Sequence, residues 1–172
     1  MPPPPLKDKE WRSFSVEDIF DHIQRGRRLK TADHIEGDKP YVSSTAINNG
    51  VDNFIGNVDN VRTFKDCLTV ANSGSVGAAF YHPYEFVASD HVTAFGSARL
   101  DRYGYLFVAT LMSRLTEKYS FNREINDVRV RREKILLPTT ANGSPDFDFM
   151  SAYVRSRAAE ILSRYFARHQ RK

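Results

Sequence analysis

The chain has 172 residues, 41% of them hydrophobic and 27% charged, which indicates one globular domain with its own core and excludes disorder as a general description. The single Cys67, the lack of any run of 18 apolar residues and the lack of a signal sequence predict a soluble, cytoplasmic protein without disulfide, metal or other cofactor. The net charge of +4 arises from the C-terminal tail, where six basic residues from Ser151 onward face one glutamate, and it favours a polyanionic partner.

The N-terminal third begins with prolines and continues with short elements. Pro2 to Pro5 predict an extended lead-in, with packing expected to begin at Trp11. The stretch 15–26 predicts a short amphipathic helix, because oxygen-bearing side chains open it, apolar residues follow on one face and a glycine closes it. A basic loop comes next, followed by a strand at 40–43, a tight Asn-Asn-Gly turn at 48–50 and a strand at 51–55.

The middle of the chain is rich in β-branched and aromatic residues. Strands are predicted at 67–71, 78–81, 86–88 and 91–95, and we expect them to form a curved, mostly antiparallel or mixed sheet. Helical spacing at 105–119 predicts one core helix with a buried stripe of Leu106, Phe107, Leu111 and Leu115. A polar, arginine-bearing stretch at 120–133 precedes a strand at 135–137, which Pro138 ends. The predicted fold class is therefore α/β, of the α+β type.

The last element is a long helix predicted from about Phe147 to Arg168, with Asp146 as its N-cap. At about 1.5 Å per residue it would be roughly 33 Å long, so its second half is expected to project past the body. An exposed apolar stripe there would pair with a helix of a second copy or of a larger partner, unless it packs on its own domain. The residues of this stripe are Ile161, Leu162, Tyr165 and Phe166.

The motifs of catalytic chemistry are weak or missing. Ser73-Gly-Ser75-Val-Gly77, with Asp90 and His91 downstream, suggests a small serine hydrolase built on Ser75 and His91, but the first position is not glycine and a strand is predicted to follow instead of a helix. A tight turn whose N–H groups and hydroxyls meet a phosphate or a base edge is the better interpretation. The sequence contains no HExxH pair, P-loop, GxGxxG or Asn-Pro-Pro-Tyr motif. We therefore expect a protein without catalytic activity.

Hydrogen-bonding and basic side chains are instead plentiful in the predicted loops. Asparagine can bridge the edge of adenine and arginine that of guanine, whereas hydroxyls and backbone N–H groups hold phosphates. An RNA-binding or regulatory protein would use the same residues, and it remains an alternative. The candidate DNA contacts are Arg25, Arg27, Arg28, Lys30, Ser43, Ser44, Thr45, Asn48, Asn49, Asn72, Ser73, Ser75, Tyr81, Ser89, His91, Arg123, Asn126 and Arg129.

Six short motifs occur in an order that is typical of one family. They are Phe14-Ser-Val-Glu-Asp-Ile-Phe20 with Gly26; Pro40-Tyr-Val-Ser-Ser-Thr45 with Asn48-Asn-Gly-Val51; Leu68-Thr-Val-Ala-Asn-Ser-Gly-Ser-Val-Gly77 with Phe80-Tyr81; Phe86-Val-Ala-Ser-Asp-His-Val92; Leu106-Phe-Val108; and Lys134-Ile-Leu-Leu-Pro138 before Gly143-Ser-Pro-Asp-Phe-Asp-Phe-Met150. From Trp11 to about Phe166 the sequence resembles the target recognition domains of the specificity subunits of type I restriction-modification systems, and the related domains of type IIG and IIB enzymes.

The resemblance implies an α/β recognition domain followed by a spacer helix that pairs with the spacer of a second such domain. It implies a proline-rich lead-in at 1–10, a recognition domain at 11–145 and a spacer or dimerisation helix with a basic tail at 146–172. Such a domain reads half of a bipartite site in double-stranded DNA and positions a separate adenine methyltransferase subunit, with a restriction subunit as a further partner. Because one domain is present instead of two, the resemblance implies either a homodimer or a part of a larger enzyme, nucleoid-associated when bound to DNA.

Overall fold

The computed structural model describes residues 5–120 and 122–169. In chain order the strands and helices of these residues are β1 (Trp11–Ser15), α1 (Val16–Ile19), β2 (His22–Arg25), β3 (Glu36–Val42), β4 (Val51–Ile55), β5 (Thr63–Phe64), β6 (Cys67–Ala71), β7 (Ala79–His82), β8 (Phe86–Ala88), β9 (Val92–Gly96), α2 (Arg102–Met112), α3 (Asp127–Arg132), β10 (Lys134–Pro138) and α4 (Phe147–His169). Short 3₁₀ turns lie at Leu6–Asp8, Thr31–Asp33, Asn48–Gly50 and Ser113–Glu117. None of the helices in the described residues is long and apolar enough to cross a membrane.

The strands form three sheets, and the predicted α+β fold class with a long C-terminal helix is confirmed. The first sheet is antiparallel with the order β2-β9-β6-β7. The second has the order β4-β3-β8-β5 and is mixed, because β3 and β8 run parallel. The third is the antiparallel pair β1-β10. All five residues of β6 are buried, so both faces of the first sheet need a cover.

Two apolar clusters supply these covers. Leu68, Val70 and Phe95 project from one face of the first sheet and pack with α1, α2, α3 and the first half of α4. The other face contributes small residues, Cys67 and Ala94 among them, which meet the second sheet. The main core thus lies on the helical side, and a thinner apolar layer joins the two larger sheets.

The helix predicted at 15–26 is wrong beyond its first turn. Helix α1 ends at Ile19, and the chain then enters β2, where Ile23 pairs with Phe95 of β9. Pairing with a central strand overrides the helical spacing of a short apolar run. The residue after β2 is Gly26. A Cβ atom there would lie 2.1 Å from the Ser89 carbonyl oxygen, a close approach that only glycine allows.

Strand β2 forms one edge of the first sheet, and arginines from distant parts of the chain cover its outer carbonyls. The Gly26 N–H donates to the Val92 carbonyl over 3.0 Å, which fixes the antiparallel pattern of hydrogen bonds between β2 and β9. In this pattern the backbone N–H and C=O groups of alternate β2 residues face away from β9. The Ile23 carbonyl accepts from Arg131 Nη2 at 2.7 Å, and the Arg25 carbonyl accepts from Arg62 Nη1 at 2.6 Å. These two acceptors of the sheet edge are therefore occupied by side chains.

The core helix differs from its prediction at both ends. Helix α2 begins earlier, because Asp101 accepts hydrogen bonds from the Tyr103 and Gly104 N–H groups over 3.1 and 2.8 Å, and it gives way to a 3₁₀ turn after Met112. The prediction that Leu106 is buried is wrong, since its side chain is 41% exposed. Phe107 and Leu115 are buried and Leu111 is half-buried, as expected for the stripe.

The prediction of the last helix is confirmed, since α4 begins at Phe147 after Asp146. The Asp146 carboxylate accepts from the Phe149 N–H over 2.9 Å and pairs with Lys9 Nζ over 2.6 Å. Met150 in the first half of α4 is fully buried, whereas Ile161 in the second half is 63% exposed. Of the two alternatives for the stripe, packing on its own domain does not occur in the structure.

Packing at the N-terminus begins earlier than predicted. Leu6 packs against the main core, and its carbonyl accepts from Trp11 Nε1 over 3.2 Å. The lead-in therefore contributes to the body from Leu6 onward, and Pro5 is extended, with φ −72° and ψ 128°. The prolines at 2–4 and the last basic residues, Arg171 and Lys172, lie outside the described residues.

His82 is expected to make stability depend on pH. Its ring is fully buried, with Nε2 2.8 Å from the Thr69 hydroxyl, and burial lowers its pKa to about 4. In the unfolded chain this histidine has a pKa of about 6.5 and takes up a proton more readily, so the stability is full above that pH and falls as the pH drops from about 6.5 to about 4. We expect about 2 kcal/mol of loss between pH 7 and pH 5 that His82→Gln abolishes, measured by urea unfolding. Equal losses in the two proteins would contradict this.

Candidate nucleic-acid interface

Four polar segments meet at one end of the two larger sheets. Strands β3 and β8 are parallel and end together, whereas β2 and β6 end beside the start of β9. Backbone hydrogen bonds tie the segments together: the Ser75 N–H donates to the Ser44 carbonyl over 2.9 Å, and the Arg27 N–H donates to the Ala88 carbonyl over 3.0 Å. We call this surface, residues 26–30, 43–50, 72–78 and 89–91, the loop cluster. It brings together most of the polar and basic residues that the sequence proposed.

The predicted turn at 48–50 is confirmed and presents two amides. Asn48, Asn49 and Gly50 all have positive φ angles, of 51°, 55° and 80°, which asparagine and glycine tolerate best. The Ser43 N–H closes the loop by donating to the Gly50 carbonyl over 2.9 Å. Both asparagine side chains are exposed, so the turn holds their amides at the surface of the loop cluster.

The turn at 72–77 folds onto its neighbours, and most of its N–H groups are already used. Gly74 has a φ of 61° and touches Ser44, which a Cβ atom would approach to 2.6 Å. The N–H groups of Asn72, Ser75 and Gly77 donate to backbone carbonyls within the protein. The expectation that this turn offers its backbone N–H groups to a phosphate is therefore wrong for these three residues, and the half-buried Ser75 hydroxyl is what it offers.

A serine and a histidine do meet in the loop cluster, but not as the hydrolase alternative predicted. Ser73, and not Ser75, places its Oγ 2.6 Å from His91 Nδ1. The Asp90 carboxylate lies 3.9 Å from His91 Nε2, beyond hydrogen-bond distance, and the strand β7 follows the turn instead of a helix. This arrangement gives the hydrolase alternative no support, and it leaves His91, which is exposed, free to contact a ligand through Nε2.

The basic loop at 26–30 lines one wall of an open cleft of about 310 Å³. Arg28, Lys30, Ser43 and His91 line it, together with two carboxylates, Asp52 and Asp90. Arginine and lysine attract phosphates, whereas a carboxylate can accept from the amino groups of cytosine and adenine. The cleft thus offers both kinds of contact that a base-reading surface needs.

Several candidates are placed where they support the surface instead of forming it. Asn72 and Ser89 are each 1% exposed, and Ser73 is also buried. The Asn126 carboxamide accepts from the Arg129 N–H over 2.8 Å and caps α3. Tyr81 lies away from the loop cluster: its ring stacks on Tyr105 with centroids 5.0 Å apart and its hydroxyl donates to Asp66. Burial and this hydrogen bond raise the pKa of Tyr81.

A second basic surface adjoins the loop cluster. The Ile125 N–H donates to the Asn72 carbonyl over 3.1 Å, which brings the segment before α3 against the loop cluster. The guanidinium of Arg123 lies 5.5 Å from the centroid of the Tyr119 ring, whose pKa burial raises to about 12. We call this surface the basic cleft; five cationic residues line it, namely Lys118, Arg123, Arg129, Arg132 and Lys134.

The basic cleft and the sheet edge contain residues that sequence reasoning did not select. Lys118 follows the 3₁₀ turn at Ser113–Glu117 and Lys134 begins β10, so they stand 16 positions apart, and the fold brings both to the basic cleft. Lys118 also pairs with Glu133 over 2.7 Å, which offsets its charge. Arg62 donates to the Arg25 carbonyl from a position 37 residues further along the chain. No local motif marks Lys118 or Arg62, whereas Lys134 belongs to the run of basic residues from Arg123 onward, which was the signal that could have found it.

The thiol and the potential metal ligands form no reactive centre in the part of the chain that the structure describes. Cys67 is buried, and desolvation raises its pKa to about 12, so the thiol stays protonated at neutral pH. Among residues 5–120 and 122–169, no group of three histidine, cysteine, aspartate or glutamate side chains is arranged to hold a metal ion.

Comparison with known proteins gives one family and several relatives. The family described as the type I restriction modification DNA specificity domain matches residues 8–163. Over 161 residues the chain is 34% identical to the type II restriction enzyme BgcI specificity subunit S.BcgI of Heyndrickxia coagulans. That alignment covers 92% of this chain and 47% of the relative, so the chain spans about half the length of the curated protein that it matches.

Solved structures show the same fold at low identity. The type I restriction-modification S subunit from M. genitalium matches with a TM-score of 0.66 and 15% identity over 96% of this chain and 42% of its own. The HsdS subunit from Thermoanaerobacter tengcongensis matches with a TM-score of 0.62 and 13% identity, over 95% of this chain and 41% of its own. A structure described under the complex assembly of the type I R-M system matches with a TM-score of 0.66 and 16% identity, over 93% of this chain and 41% of its own.

Proposed function

Because the chain belongs to the type I restriction modification DNA specificity domain family, we propose that it recognises a specific sequence in double-stranded DNA and carries out no catalytic step itself. One observation carries the proposal: the fold gathers four polar loops, from separate parts of the chain, at one end of two sheets and lines them with exposed arginine and lysine. A surface of hydrogen-bonding side chains beside cations has the composition that contact with base edges and phosphates requires.

The surface divides into contacts of two kinds. Arg27, Arg28 and Lys30 are exposed and suit phosphates, which position the protein on the duplex. Asn48 and Asn49 project from a fixed turn and suit base edges. The other exposed or half-buried candidates of the two surfaces extend this contact area, and they are Ser43, Ser44, Thr45, Ser75, His91, Arg123 and Arg129.

The second half of α4 is the part that would join this chain to another. The stripe of Ile161, Leu162, Tyr165 and Phe166 is exposed, and a helix of the same kind from a second copy would bury it. The half-length match to the relatives supports a pair of recognition domains, either two copies of this chain or two halves of a larger enzyme. In this proposal residues 1–10 lead into a recognition domain at 11–145, and residues 146–172 form the pairing helix with its basic tail. Two copies would read an inverted repeat.

Partner subunits would supply the catalytic activity that this chain lacks in the proposal. The curated relative is named as the specificity subunit of a restriction enzyme, which supports partnership with an adenine methyltransferase subunit and with a restriction subunit. The protein would act in the cytoplasm, on nucleoid DNA. Its role would be to bring the target base to the partner subunit.

Selection from random DNA duplexes tests the proposal most directly. The full chain, with any subunits that copurify with it, is expected to enrich one bipartite sequence, arranged as an inverted repeat if two copies pair. Equal affinity for all duplexes would contradict sequence recognition. Preference for single-stranded RNA over duplex DNA would favour the RNA-binding alternative instead.

The turn at 48–50 allows a clean test of base contact. Glycine adopts positive φ without strain, so Asn49→Gly removes the amide and preserves the backbone of the turn. We expect it to weaken binding by about 1–3 kcal/mol and to relax the preference at one base pair, with little change in thermal unfolding. Binding and selectivity equal to those of the unaltered chain would remove Asn49 from the interface. Asn49→Ala is the contrasting variant, since it loses the amide and also strains the turn.

A further inference from the structure

Arg25 is held by a buried amide. It is the last residue of β2, and Asn72, which is 1% exposed, lies beside it at the end of β6. A guanidinium can only donate hydrogen bonds, so the amide oxygen of Asn72 faces Arg25, 2.9 Å from Nε and 3.3 Å from Nη2. In this orientation the amide nitrogen donates to the Thr93 hydroxyl over 2.9 Å.

Asn72 is itself fixed by two further segments of the chain. Its N–H donates to the His91 carbonyl over 2.8 Å, and its carbonyl accepts from the Ile125 N–H over 3.1 Å. With the Thr93 hydroxyl, which lies two residues after His91, two separate parts of the fold, the start of β9 and the segment before α3, therefore hold this one residue. An acceptor anchored in this way keeps the guanidinium of Arg25 in one orientation, and orientation fixed before binding reduces the entropy that binding costs.

The donors of the guanidinium that Asn72 leaves unused indicate which ligand it can bind. Asn72 engages the side that carries Nε, and the terminal Nη1 and Nη2 groups retain a parallel pair of N–H bonds. Within residues 5–120 and 122–169, Arg25 forms no ion pair with a carboxylate. Two parallel donors on a rigid plane match the O6 and N7 acceptors of guanine in the major groove. The same pair of donors also fits two phosphate oxygens, but loss of a phosphate contact weakens all sequences alike, whereas loss of a guanine contact relaxes the preference at one position.

We infer that Arg25 reads a guanine in the recognised half-site and that Asn72 is its positioning residue. This inference rests on the proposed function. Because Asn72 is buried, it cannot contact DNA itself. It acts on DNA only through the Arg25 guanidinium that it orients.

Two substitutions distinguish recognition of the guanine base from simple attraction of DNA by the positive charge. Arg25→Lys keeps the cation and loses the paired donors, and Asn72→Leu keeps a similar size and loses the acceptor. Both are expected to reduce a guanine preference at one position by about 5- to 150-fold, which corresponds to the usual ~1–3 kcal/mol of a bidentate contact, and to leave the other positions unchanged. Asn72→Asp retains an acceptor for Arg25 and is expected to retain the preference.

The measurement is competition between duplexes that differ at single positions, made with the full chain and its copurifying subunits at several salt concentrations. Arg114→Lys is the matched control, because Arg114 pairs with Glu117 on the exposed surface outside the loop cluster. If Arg25→Lys weakens all duplexes equally, or alters no preference, the inference is overturned while sequence recognition by the unaltered chain still stands. If the unaltered chain shows no preference at all, the proposed function itself fails. If Asn72→Leu does not fold, Arg25→Lys still decides the guanine contact, because the Arg25 side chain is only half-buried, and loss of the preference in a folded Asn72→Asp variant would overturn the positioning role of Asn72.

Discussion

A chain carrying Ile161→Glu and Leu162→Glu is expected to lose self-association, or capture of its partner helix, by a factor of at least about 100 in affinity. Both residues lie in the second half of α4, where they are 63% and 55% exposed, and they belong to the only face of this half that is apolar over two turns within the described residues. If another helix covers this face, each new carboxylate must lose its hydration without a partner, which costs several kcal/mol.

The matched control places the same two charges on the opposite face of the same helix. Ser163→Glu and Ala167→Glu lie four residues apart and outside the stripe, so association should persist. Mass measured by light scattering and helix content by circular dichroism would separate lost association from lost folding. An unchanged mass in the stripe variant would show that α4 does not mediate pairing. Loss of association in both variants would indicate a general effect of negative charge.

Gly26→Ala is expected to destabilise the protein by about 3 kcal/mol and to weaken DNA binding as well. The added Cβ atom would lie 2.1 Å from the Ser89 carbonyl oxygen and 2.4 Å from that of Ala88, and both are backbone atoms that cannot rotate away. The chain at 26–30 would have to move off the end of β8, and the hydrogen bond from the Arg27 N–H to the Ala88 carbonyl would break. Because Arg25 to Lys30 share this segment, stability and binding should fall together.

Gly96→Ala is the control for the cost of replacing a glycine in a strand. A Cβ atom there would meet only the His22 side chain, at 3.7 Å, an ordinary van der Waals distance. Urea unfolding should therefore show a change within about 1 kcal/mol for Gly96→Ala and a loss several times larger for Gly26→Ala. Similar values for the two variants would contradict the close approach at Gly26.

Elements with strong local patterns could be predicted from the sequence, and elements decided by distant contacts could not. Helix α4 has a cap, an acidic first turn and a long apolar repeat, and its predicted start is the observed one. The Asn-Asn-Gly turn has a similarly local cause in positive φ. The stretch after Ile19 has helical spacing yet forms a strand, because β9 offers it a partner. Helix α3 has only six residues, too few for its periodicity to show.

The candidate site was predictable as a set of residue types but not as a geometry. The side-chain chemistry of Asn48 and Arg28 suits DNA, which the sequence alone shows, and the structure places both on the loop cluster. The same criterion selected Asn72 and Ser89, which are buried, because composition does not reveal which polar side chains satisfy the protein's own backbone. Tyr81 was chosen for its hydroxyl, and only the pairing of β7 shows that it stacks on α2.

The arginines on the outer carbonyls of β2 bear on how this protein behaves at high concentration. An uncovered strand edge is a template on which further chains can add, and proteins suppress such growth by placing charge there. Arg62 and Arg131 bring that charge from remote stretches, so the protection exists only once folding is complete. A partly folded chain would lack it, and polymerisation should therefore compete with folding during synthesis and refolding more than it threatens the finished protein.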